Sequence, residues 1–243
     1  MKNGIKFFLQ TILGIENYLL IFSLFVIGKL KYDRKEKDFL YFLSLLPDGE
    51  TLLDIGANIG VMTVHMARRF PKSTVYSFEP LPLNLSILKK IVRLFALKNV
   101  IVREIALGDH EGEVTMILPM EKSVMLHGLS HVKHPSIGSL NAGEEFSVEM
   151  KMLDDLKDLK SCHITGIKLD VENFEYFVLS GAEKIIKRCR PVIYCELWDN
   201  LNRVKTFEFL QELGYKIQVR EKNGLVSFDA SRHTTQNFFF IPE

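Results

Sequence analysis

The stretch DIGANIG, at Asp54–Gly60, joins a short apolar run, Thr51–Ile55, to a segment of helix length, Val61–Phe70. The apolar run predicts a strand and the breaker-free segment predicts a helix, so the glycines lie in the turn between them. Glycine permits positive φ and a close approach of the backbone to a ligand. A dinucleotide-binding turn would show the spacing GxGxxG, but Asn58 and Val61 occupy its second and third glycine positions here.

Short apolar runs and helix-length segments alternate along most of the remaining chain. The predicted strands and helices are Thr74–Phe78, Leu81–Phe95, Val100–Leu107, Gly112–Leu118, Glu145–Met152, Ile164–Leu169, Phe174–Lys187, Val192–Glu196, Leu201–Leu213 and Tyr215–Arg220. Such alternation is typical of an α/β fold with a parallel sheet and helices on both faces. Asn223-Gly224 is a strong hairpin signal, and it predicts that Tyr215–Arg220 turns back into a last antiparallel strand, Asn237–Ile241.

Polar and small residues follow the first three predicted strands, where a sheet of this kind binds its ligands. Asp54 ends the first strand, and a carboxylate there would repel a pyrophosphate but attract the cationic amino and sulfonium groups of S-adenosylmethionine. Glu79 follows the second strand and can accept hydrogen bonds from both hydroxyls of a ribose. Ala106 and Leu107, at the end of the third strand, offer backbone and apolar groups to an adenine. These positions predict a nucleoside cofactor at one edge of the sheet.

Three carboxylates, Asp170, Glu172 and Glu175, cluster where the strand Ile164–Leu169 meets the next helix. A helix amino end attracts acidic residues through its dipole, which accounts for Glu172 and Glu175 without any chemistry. Asp170 directly follows an apolar strand and is expected to be partly buried, as catalytic and metal-ligating carboxylates often are. Asp170 is therefore the predicted catalytic base, with Glu172 or Glu196 as a second carboxylate.

The composition describes a folded protein without a marked charge. The chain of 243 residues carries 31 Lys and Arg against 30 Asp and Glu, a formal net charge of +1. This balance lacks the basic excess of nucleic-acid-binding proteins, so no nucleic-acid partner is expected. Three cysteines without CxxC spacing predict neither a disulfide framework nor a zinc site, and a reducing, cytoplasmic location is the simplest interpretation.

The segment before Thr51 contains one long apolar run, Tyr18–Ile27, which is shorter than the roughly 20 residues of a bilayer-spanning helix. No cleavage site of small residues follows this run, which argues against a signal peptide. Several basic residues from Lys29 to Lys37 come next. Helices packed on the domain are the preferred interpretation, and peripheral contact with a membrane through an amphipathic segment is the alternative.

Together these motifs resemble the FkbM family of S-adenosylmethionine-dependent methyltransferases. The resemblance rests on the stretches DIGANIG, FEPLPLN (Phe78–Asn84), ALGD (Ala106–Asp109), LDDL (Leu153–Leu156), KLDVENFE (Lys168–Glu175) and PVIYCE (Pro191–Glu196). The family pattern has glycine where this chain has Asn173. Asparagine is the next most tolerant residue for a left-handed backbone, so the turn is expected to survive the change.

The resemblance implies a fold, a cofactor site and a reaction. The fold is an α/β class I methyltransferase (Rossmann-like) sheet of seven mostly parallel strands with an antiparallel last strand, helices on both faces and a helical N-terminal extension. Residues 1–48 would form the extension and residues 49–243 the methyltransferase domain. The implied reaction is O-methylation of a saccharide or natural-product hydroxyl, with a small-molecule or glycan acceptor as the partner. The residues expected to bind S-adenosylmethionine are Asp54, Gly56, Ala57, Asn58, Gly60, Glu79, Pro80, Ala106, Leu107 and Asp170.

Several alternatives stay open. A nicotinamide-dependent oxidoreductase uses a similar sheet, although the glycine spacing argues against it, and a catalytically inactive S-adenosylmethionine-binding protein would keep the same residues. No metal ligand is assigned, and Mg²⁺ held by the carboxylates is the less favoured version of the chemistry. His127, His131 and His134 lie in a long loop where a substrate-binding role, a metal site and surface exposure all fit the sequence. Trp198 is compatible with stacking on a sugar ring or with core packing.

Overall fold

Strand β1 (Thr51–Ile55) is buried along its whole length and lies inside a mixed sheet of eight strands. The computed structural model describes residues 9–121, 124–125, 130–133 and 143–243. In chain order the other strands are β2 (Thr74–Phe78), β3 (Val100–Arg103), β4 (Ala106–Leu107), β5 (Gly112–Glu121), β6 (Val124–Met125), β7 (His131–Val132), β8 (Gly143–Lys151), β9 (Ile164–Leu169), β10 (Val192–Glu196), β11 (Tyr215–Glu221), β12 (Gly224–Ser227) and β13 (Asn237–Pro242). The α-helices include α1 (Ile15–Lys29), α2 (Lys37–Ser44), α3 (Val61–Arg69), α4 (Pro82–Leu94), α5 (Glu175–Ser180), α6 (Glu183–Cys189) and α7 (Leu201–Glu212).

The main sheet has the strand order β12-β11-β13-β10-β9-β1-β2-β3. Strands β3, β2, β1, β9 and β10 run parallel to one another, whereas β13 is antiparallel to both β10 and β11. The predicted α/β sheet, mostly parallel with an antiparallel last strand, is therefore confirmed. The chain leaves β1 toward β2 on one side and returns to β9 on the other, so the strand order reverses between β1 and β9. Ligands of such sheets bind beyond the strand ends at this switch point.

The sheet has eight strands rather than the predicted seven. Asn223-Gly224 does form a hairpin turn, with Glu221 opposite Gly224, but the turn joins β11 to an extra edge strand, β12. Strand β13 then inserts between β10 and β11. The prediction that this turn leads directly into Asn237–Ile241 is wrong, because a hairpin turn constrains only the two strands that flank it.

The segment Val100–Leu107, predicted as one strand, is divided between two sheets. Strand β3 ends the main sheet, whereas β4 pairs in parallel with β8. The second sheet has the order β4-β8-β5-β6, and β7 pairs with β5 outside this path. Glu104 and Ile105 lie between the two strands, so the chain changes sheets there. The chain thus passes from the edge of the main sheet at β3 into the second sheet at β4.

The segment Phe174–Lys187, predicted as one helix, forms two helices that are separated at Gly181. A Cβ on Gly181 would come within 1.9 Å of the carbonyl oxygen of Gly108, so the two backbones are in direct contact. The Asp154 carboxylate accepts two hydrogen bonds of 2.9 Å from backbone N–H groups in the first turn of α6. Asp154 thus caps the start of a second helix from a distant part of the chain. Local sequence patterns do not reveal such a cap.

Helix α1 packs with its inner side on α3 and α4. Tyr18, Leu19 and Ile27 are buried in that contact. The Ser23 hydroxyl donates a hydrogen bond of 3.1 Å to the carbonyl oxygen of Ile59, which lies in the glycine turn. Among the described residues we find no helix with the length and apolar character that are needed to traverse a bilayer.

Helix α2 shares one hydrophobic core with the sheet. Phe39 and Phe42 are fully buried, and both rings contact the ring of Tyr194 on β10. Phe239 on β13 packs against the same ring. Residues before and after residue 48 pack into this common hydrophobic cluster. The domain boundary expected at that residue stays a prediction.

We expect Phe42→Ala to lower the free energy of unfolding by about 3–5 kcal/mol, the usual cost of removing a buried phenylalanine ring. Phe25→Ala is the matched control, because its ring is 65% exposed, and it should change stability by about 0.5 kcal/mol or less. Denaturant unfolding would measure both values. A Phe42→Ala variant as stable as the wild type would show that α2 lies outside the cooperative core.

Candidate active site

A cavity opens beyond the carboxyl ends of β1, β2 and β9. The second sheet contributes Met116 and Val132 to its wall. The residues that line it are Ile55, Gly56, Asn58, Phe78, Glu79, Pro80, Ile105, Ala106, Leu107, Met116, Ser130, Val132, Asp170, Val171, Glu172 and Phe174.

The structure brings most of the predicted site residues to this cavity. Those that line it are Gly56, Asn58, Glu79, Pro80, Ala106, Leu107, Asp170 and Glu172. Asp54, Ala57, Gly60 and Glu196 are not part of the lining. The fold therefore collects residues from four separate segments, as expected for ligands that bind at a switch point.

Glu79 is held rigidly at the cavity by backbone groups. One carboxylate oxygen accepts a hydrogen bond of 2.9 Å from the N–H of Asn58, and the other accepts one of 3.0 Å from the N–H of Leu81. Asn84 adds a longer contact of 3.4 Å. Burial raises the pKa of Glu79 to about 7, although these hydrogen bonds act in the opposite direction. The carboxyl group is thus poised to change charge near neutral pH.

Asp54 lies beneath the glycine turn and is fully buried. Its carboxylate accepts a hydrogen bond of 2.6 Å from the Thr63 hydroxyl and lies 3.5 Å from the ammonium nitrogen of Lys168. Gly60 serves packing, since a Cβ there would come within 2.8 Å of a methyl carbon of Leu88. In this arrangement Asp54 supports the turn from below, and its direct contact with a cofactor stays a prediction.

Lys168 connects the loops that follow β1 and β9. Its buried ammonium group donates a hydrogen bond of 2.9 Å to the carbonyl oxygen of Gly56 and lies 3.7 Å from the carboxylate of Asp170. Burial disfavours the charged form, but the carboxylates of Asp170 and Asp54 outweigh it and raise the pKa of Lys168. Sequence reasoning assigned no role to this residue. The available signal was a lysine inside the apolar strand Ile164–Leu169, where an unpaired charge would be costly.

Carboxyl groups surround this ammonium group on the side of the cavity. Burial, with added repulsion from Asp170 and Glu196, raises the pKa of Glu172 to about 9. Burial and the charge of Asp170 also raise the pKa of Glu196. Glu36, just before α2, is half-buried and has its pKa raised by burial and by the nearby charges of Asp33 and Asp170. The N-terminal segment thus adds a carboxyl group to the region, which the sequence did not predict.

The carboxyl groups near Lys168 can be compared with the ligand sets of metal sites. In the part of the chain that the structure describes, no three side chains of His, Cys, Asp or Glu are arranged to hold a metal ion. His131 lies in β7 and is buried, and its neighbours Ser130 and Val132 line the cavity. His127 and His134 lie outside the described residues. The predicted loop therefore contributes to the cavity wall through residues next to His131.

The loop between β9 and α5 has an unusual backbone that side chains from elsewhere hold in place. Glu172 and Asn173 have positive φ values of 53° and 73°, so the expectation that asparagine keeps the turn is confirmed. Asn202 donates a hydrogen bond of 2.9 Å to the carbonyl oxygen of Asn173, and Asn200 donates one of 2.7 Å to its side-chain oxygen. The Glu175 carboxylate accepts a hydrogen bond of 3.1 Å from the backbone N–H of Asn173. Strained backbone of this kind is often found at functional sites.

Trp198, two residues beyond the end of β10, lies near the same loop. Its side chain acts to lower the pKa of the Glu172 carboxyl group, against the larger effect of burial. The sequence suggested sugar stacking or core packing for this residue. Trp198 thus lies beside a carboxyl group that lines the cavity, and sugar stacking and core packing both stay predictions.

Comparisons with known proteins agree with this geometry. The model of the methyltransferase FkbM domain matches residues 54–217. Methyltransferase 1 of Beauveria bassiana is 26% identical over 161 residues, which cover 60% of this chain and 64% of that protein. Methyltransferase sdnD of Sordaria araneosa is 25% identical over 208 residues, which cover 74% of this chain and 79% of that protein.

A solved structure shows the same fold. The crystal structure of methyltransferase FkbM from Methylobacillus flagellatus superposes with a TM-score of 0.55 and 18% identity, covering 81% of this chain and 45% of that one. The chain thus spans less than two thirds of this protein and of the first fungal relative. The family model covers the glycine turn, Glu79, Lys168 and the loop after β9, together with most of the chain. The protein belongs to the FkbM methyltransferase family.

Proposed function

We propose that this protein is an S-adenosylmethionine-dependent methyltransferase that acts on a hydroxyl group of a saccharide or natural-product acceptor. The observation that carries the proposal is the character of the cavity. Glu79, Asp170 and Glu172 line it, and among the described lining residues there is no lysine or arginine. A lining with carboxyl groups and no basic side chain suits a ligand with a positive sulfonium and disfavours one with a pyrophosphate.

The residues at the cavity fit each part of the proposed cofactor. The Glu79 oxygen that accepts the Asn58 N–H keeps a lone pair for a ribose hydroxyl, whereas the other oxygen already accepts hydrogen bonds from Leu81 and Asn84. Ala106 and Leu107 are buried and offer an apolar surface to adenine. Gly56 has a φ of 75°, and a Cβ there would come within 1.8 Å of the Asp170 carbonyl oxygen, so glycine is required where the two loops meet.

The alternative functions have weaker support. A nicotinamide-dependent oxidoreductase needs groups that bind a negatively charged pyrophosphate. The described lining of this cavity has carboxyl groups and no basic side chain. An inactive S-adenosylmethionine-binding protein would keep the same cavity. Methyl transfer from labelled S-adenosylmethionine to a panel of glycans and small hydroxylated molecules distinguishes these possibilities. Transfer to no acceptor, with tight binding of a nicotinamide dinucleotide, would contradict the proposal.

Asp170 is the proposed base for the acceptor hydroxyl. When bound, S-adenosylmethionine supplies an electrophilic methyl group, so the protein mainly has to align the acceptor oxygen and remove its proton. Asp170 lines the cavity, and its side chain is 38% exposed, so an acceptor can reach it. Glu172, with a pKa of about 9, is largely protonated at neutral pH. It is therefore a hydrogen-bond donor to the acceptor in this proposal and not the base.

Lys168 is proposed as a positioning residue. It binds the Gly56 carbonyl oxygen, neutralises the buried Asp54 and lies next to Asp170. The base and the cofactor turn thus share one ammonium group as their common support. The carboxyl groups around it favour a neutral acceptor such as a glycan over nucleic acid, whose phosphates they would repel.

We expect Glu79→Gln to weaken binding of S-adenosylhomocysteine by about tenfold to a hundredfold, since hydrogen bonds to a charged group contribute about 1.5–3 kcal/mol. In the wild type the affinity should rise from pH 6 to pH 8, because ionisation of a group with a pKa of about 7 creates the better acceptor of ribose hydroxyls. The variant should lose this pH dependence. Isothermal titration calorimetry measures both effects, with the exposed Glu104→Gln as the control. A pH-independent wild-type affinity would contradict the role of Glu79.

We expect Asp170→Asn to lower kcat by about 10²–10⁴-fold while the affinity for the cofactor stays within a few-fold, as for the loss of a general base. Glu172→Gln is the matched control, because glutamine imitates a protonated glutamate, and its kcat should fall by less than about tenfold. Single-turnover rates with labelled methyl donor provide the measurement. A folded Asp170→Asn variant that turns over at the wild-type rate would show that Asp170 is not the base. If a chelator removes the activity and Mg²⁺ restores it, Asp170 would instead act as a metal ligand.

We expect Lys168→Met to lower the free energy of unfolding by about 3–5 kcal/mol, because it leaves the carboxylate of Asp54 buried without its partner. The double variant Lys168→Met with Asp54→Asn should recover part of this loss. Denaturant unfolding of the single and double variants gives the coupling energy. Lys89→Met, which breaks an exposed pair with Glu104, is the control and should cost at most about 1 kcal/mol. Additive effects at Lys168 and Asp54 would show that the pair does not interact.

A further inference from the structure

Helix α1 exposes large apolar side chains to solvent. Ile21, Phe22 and Phe25 are 54%, 41% and 65% exposed, and they lie on one side of the helix because of their spacing. Tyr32, one turn beyond the helix end, is 85% exposed. We refer to these four residues as the α1 face. A helix that is apolar on all sides is normally buried on all sides. Helices α3 and α4 bury only the inner side of α1, and the apolar residues of its outer side stay exposed.

Basic residues border the α1 face at one end. No charged residue occurs from Asn17 to Gly28, and the segment after it carries the exposed residues Lys29, Lys31, Arg34, Lys35 and Lys37. Two acidic residues interrupt this segment. Asp33 pairs with Lys29 at 3.2 Å, and half-buried Glu36 lies within the electrostatic influence of Asp170 at the candidate active site. The outward charge of the segment is therefore positive.

We propose that the α1 face rests on an anionic membrane surface. Apolar side chains beside lysine and arginine are the combination by which interfacial helices bind acidic lipids. The inner side of α1 is fixed by Tyr18, Leu19 and Ile27 and by the hydrogen bond from Ser23 to Ile59. The helix therefore lies in the membrane plane with its outer side in the lipid headgroups and stays packed on the protein.

A second copy of the chain is a less suitable occupant of this face. A symmetric dimer would place the same surface on both sides of the interface. The basic segments that border the two faces would then lie close together, and like charges in an interface are unfavourable. An anionic lipid surface offers the opposite charge.

Vesicle sedimentation tests the proposal with the full chain. We expect binding to vesicles of phosphatidylcholine mixed with phosphatidylserine to be about tenfold stronger than to phosphatidylcholine alone, and high salt to weaken it. Phe22→Ser combined with Phe25→Ser should abolish binding to both vesicles. Lys31→Glu combined with Lys35→Glu should remove the preference for phosphatidylserine. The melting temperature and the affinity for S-adenosylhomocysteine of each variant show that the fold is intact.

Matched controls carry the same changes at exposed positions away from α1. Val204→Ser, at a residue that is 47% exposed on α7, and Lys160→Glu should bind vesicles as the wild type does. A wild type that does not bind anionic vesicles overturns the proposal, and so does undiminished binding by the double phenylalanine variant. Concentration-dependent dimerisation that Phe25→Ser abolishes, without vesicle binding, would assign the α1 face to a second copy.

Discussion

The buried ammonium group of Lys168 connects the parts of the candidate site. It lies where β9 passes β1 and joins the carbonyl oxygen of Gly56, the carboxylate of Asp54 and the carboxylate of Asp170. An unpaired charge is expensive in a protein interior, so the buried carboxylate of Asp54 and the buried ammonium group are stable there only together. Because the turn after β1 and the loop after β9 share this contact, the geometry of each depends on the other.

The charge distribution explains why this fold would select a cationic cofactor. Glu79, Asp170 and Glu172 line the cavity, while Lys168 is buried behind it. Burial raises the pKa of Glu79 to about 7 and contributes most to the pKa of about 9 for Glu172. Glu172 is therefore largely protonated at neutral pH and can donate a hydrogen bond, whereas Glu79 is close to its point of ionisation.

The loop after β9 shows how distant segments hold a strained backbone in place. Two consecutive residues, Glu172 and Asn173, have positive φ, which only a few residue types adopt without cost. Asn200 and Asn202 at the start of α7 hydrogen-bond to Asn173, and Trp198 lies near Glu172. These contacts offset the backbone strain and aim the side chain of Glu172 at the cavity.

The amino-acid sequence by itself determined the order of most strands and helices, the glycine turn and half of the described residues that line the cavity. These features are local, because hydrophobic period, glycine and the position after a strand act within a few residues. The tertiary structure alone decided that Asp54 points beneath the turn to Lys168, that β13 inserts between β10 and β11, and that Asp154 divides a helix. Each of these depends on a partner that is distant in the chain, and its energy exists only when the sheet has brought the two together.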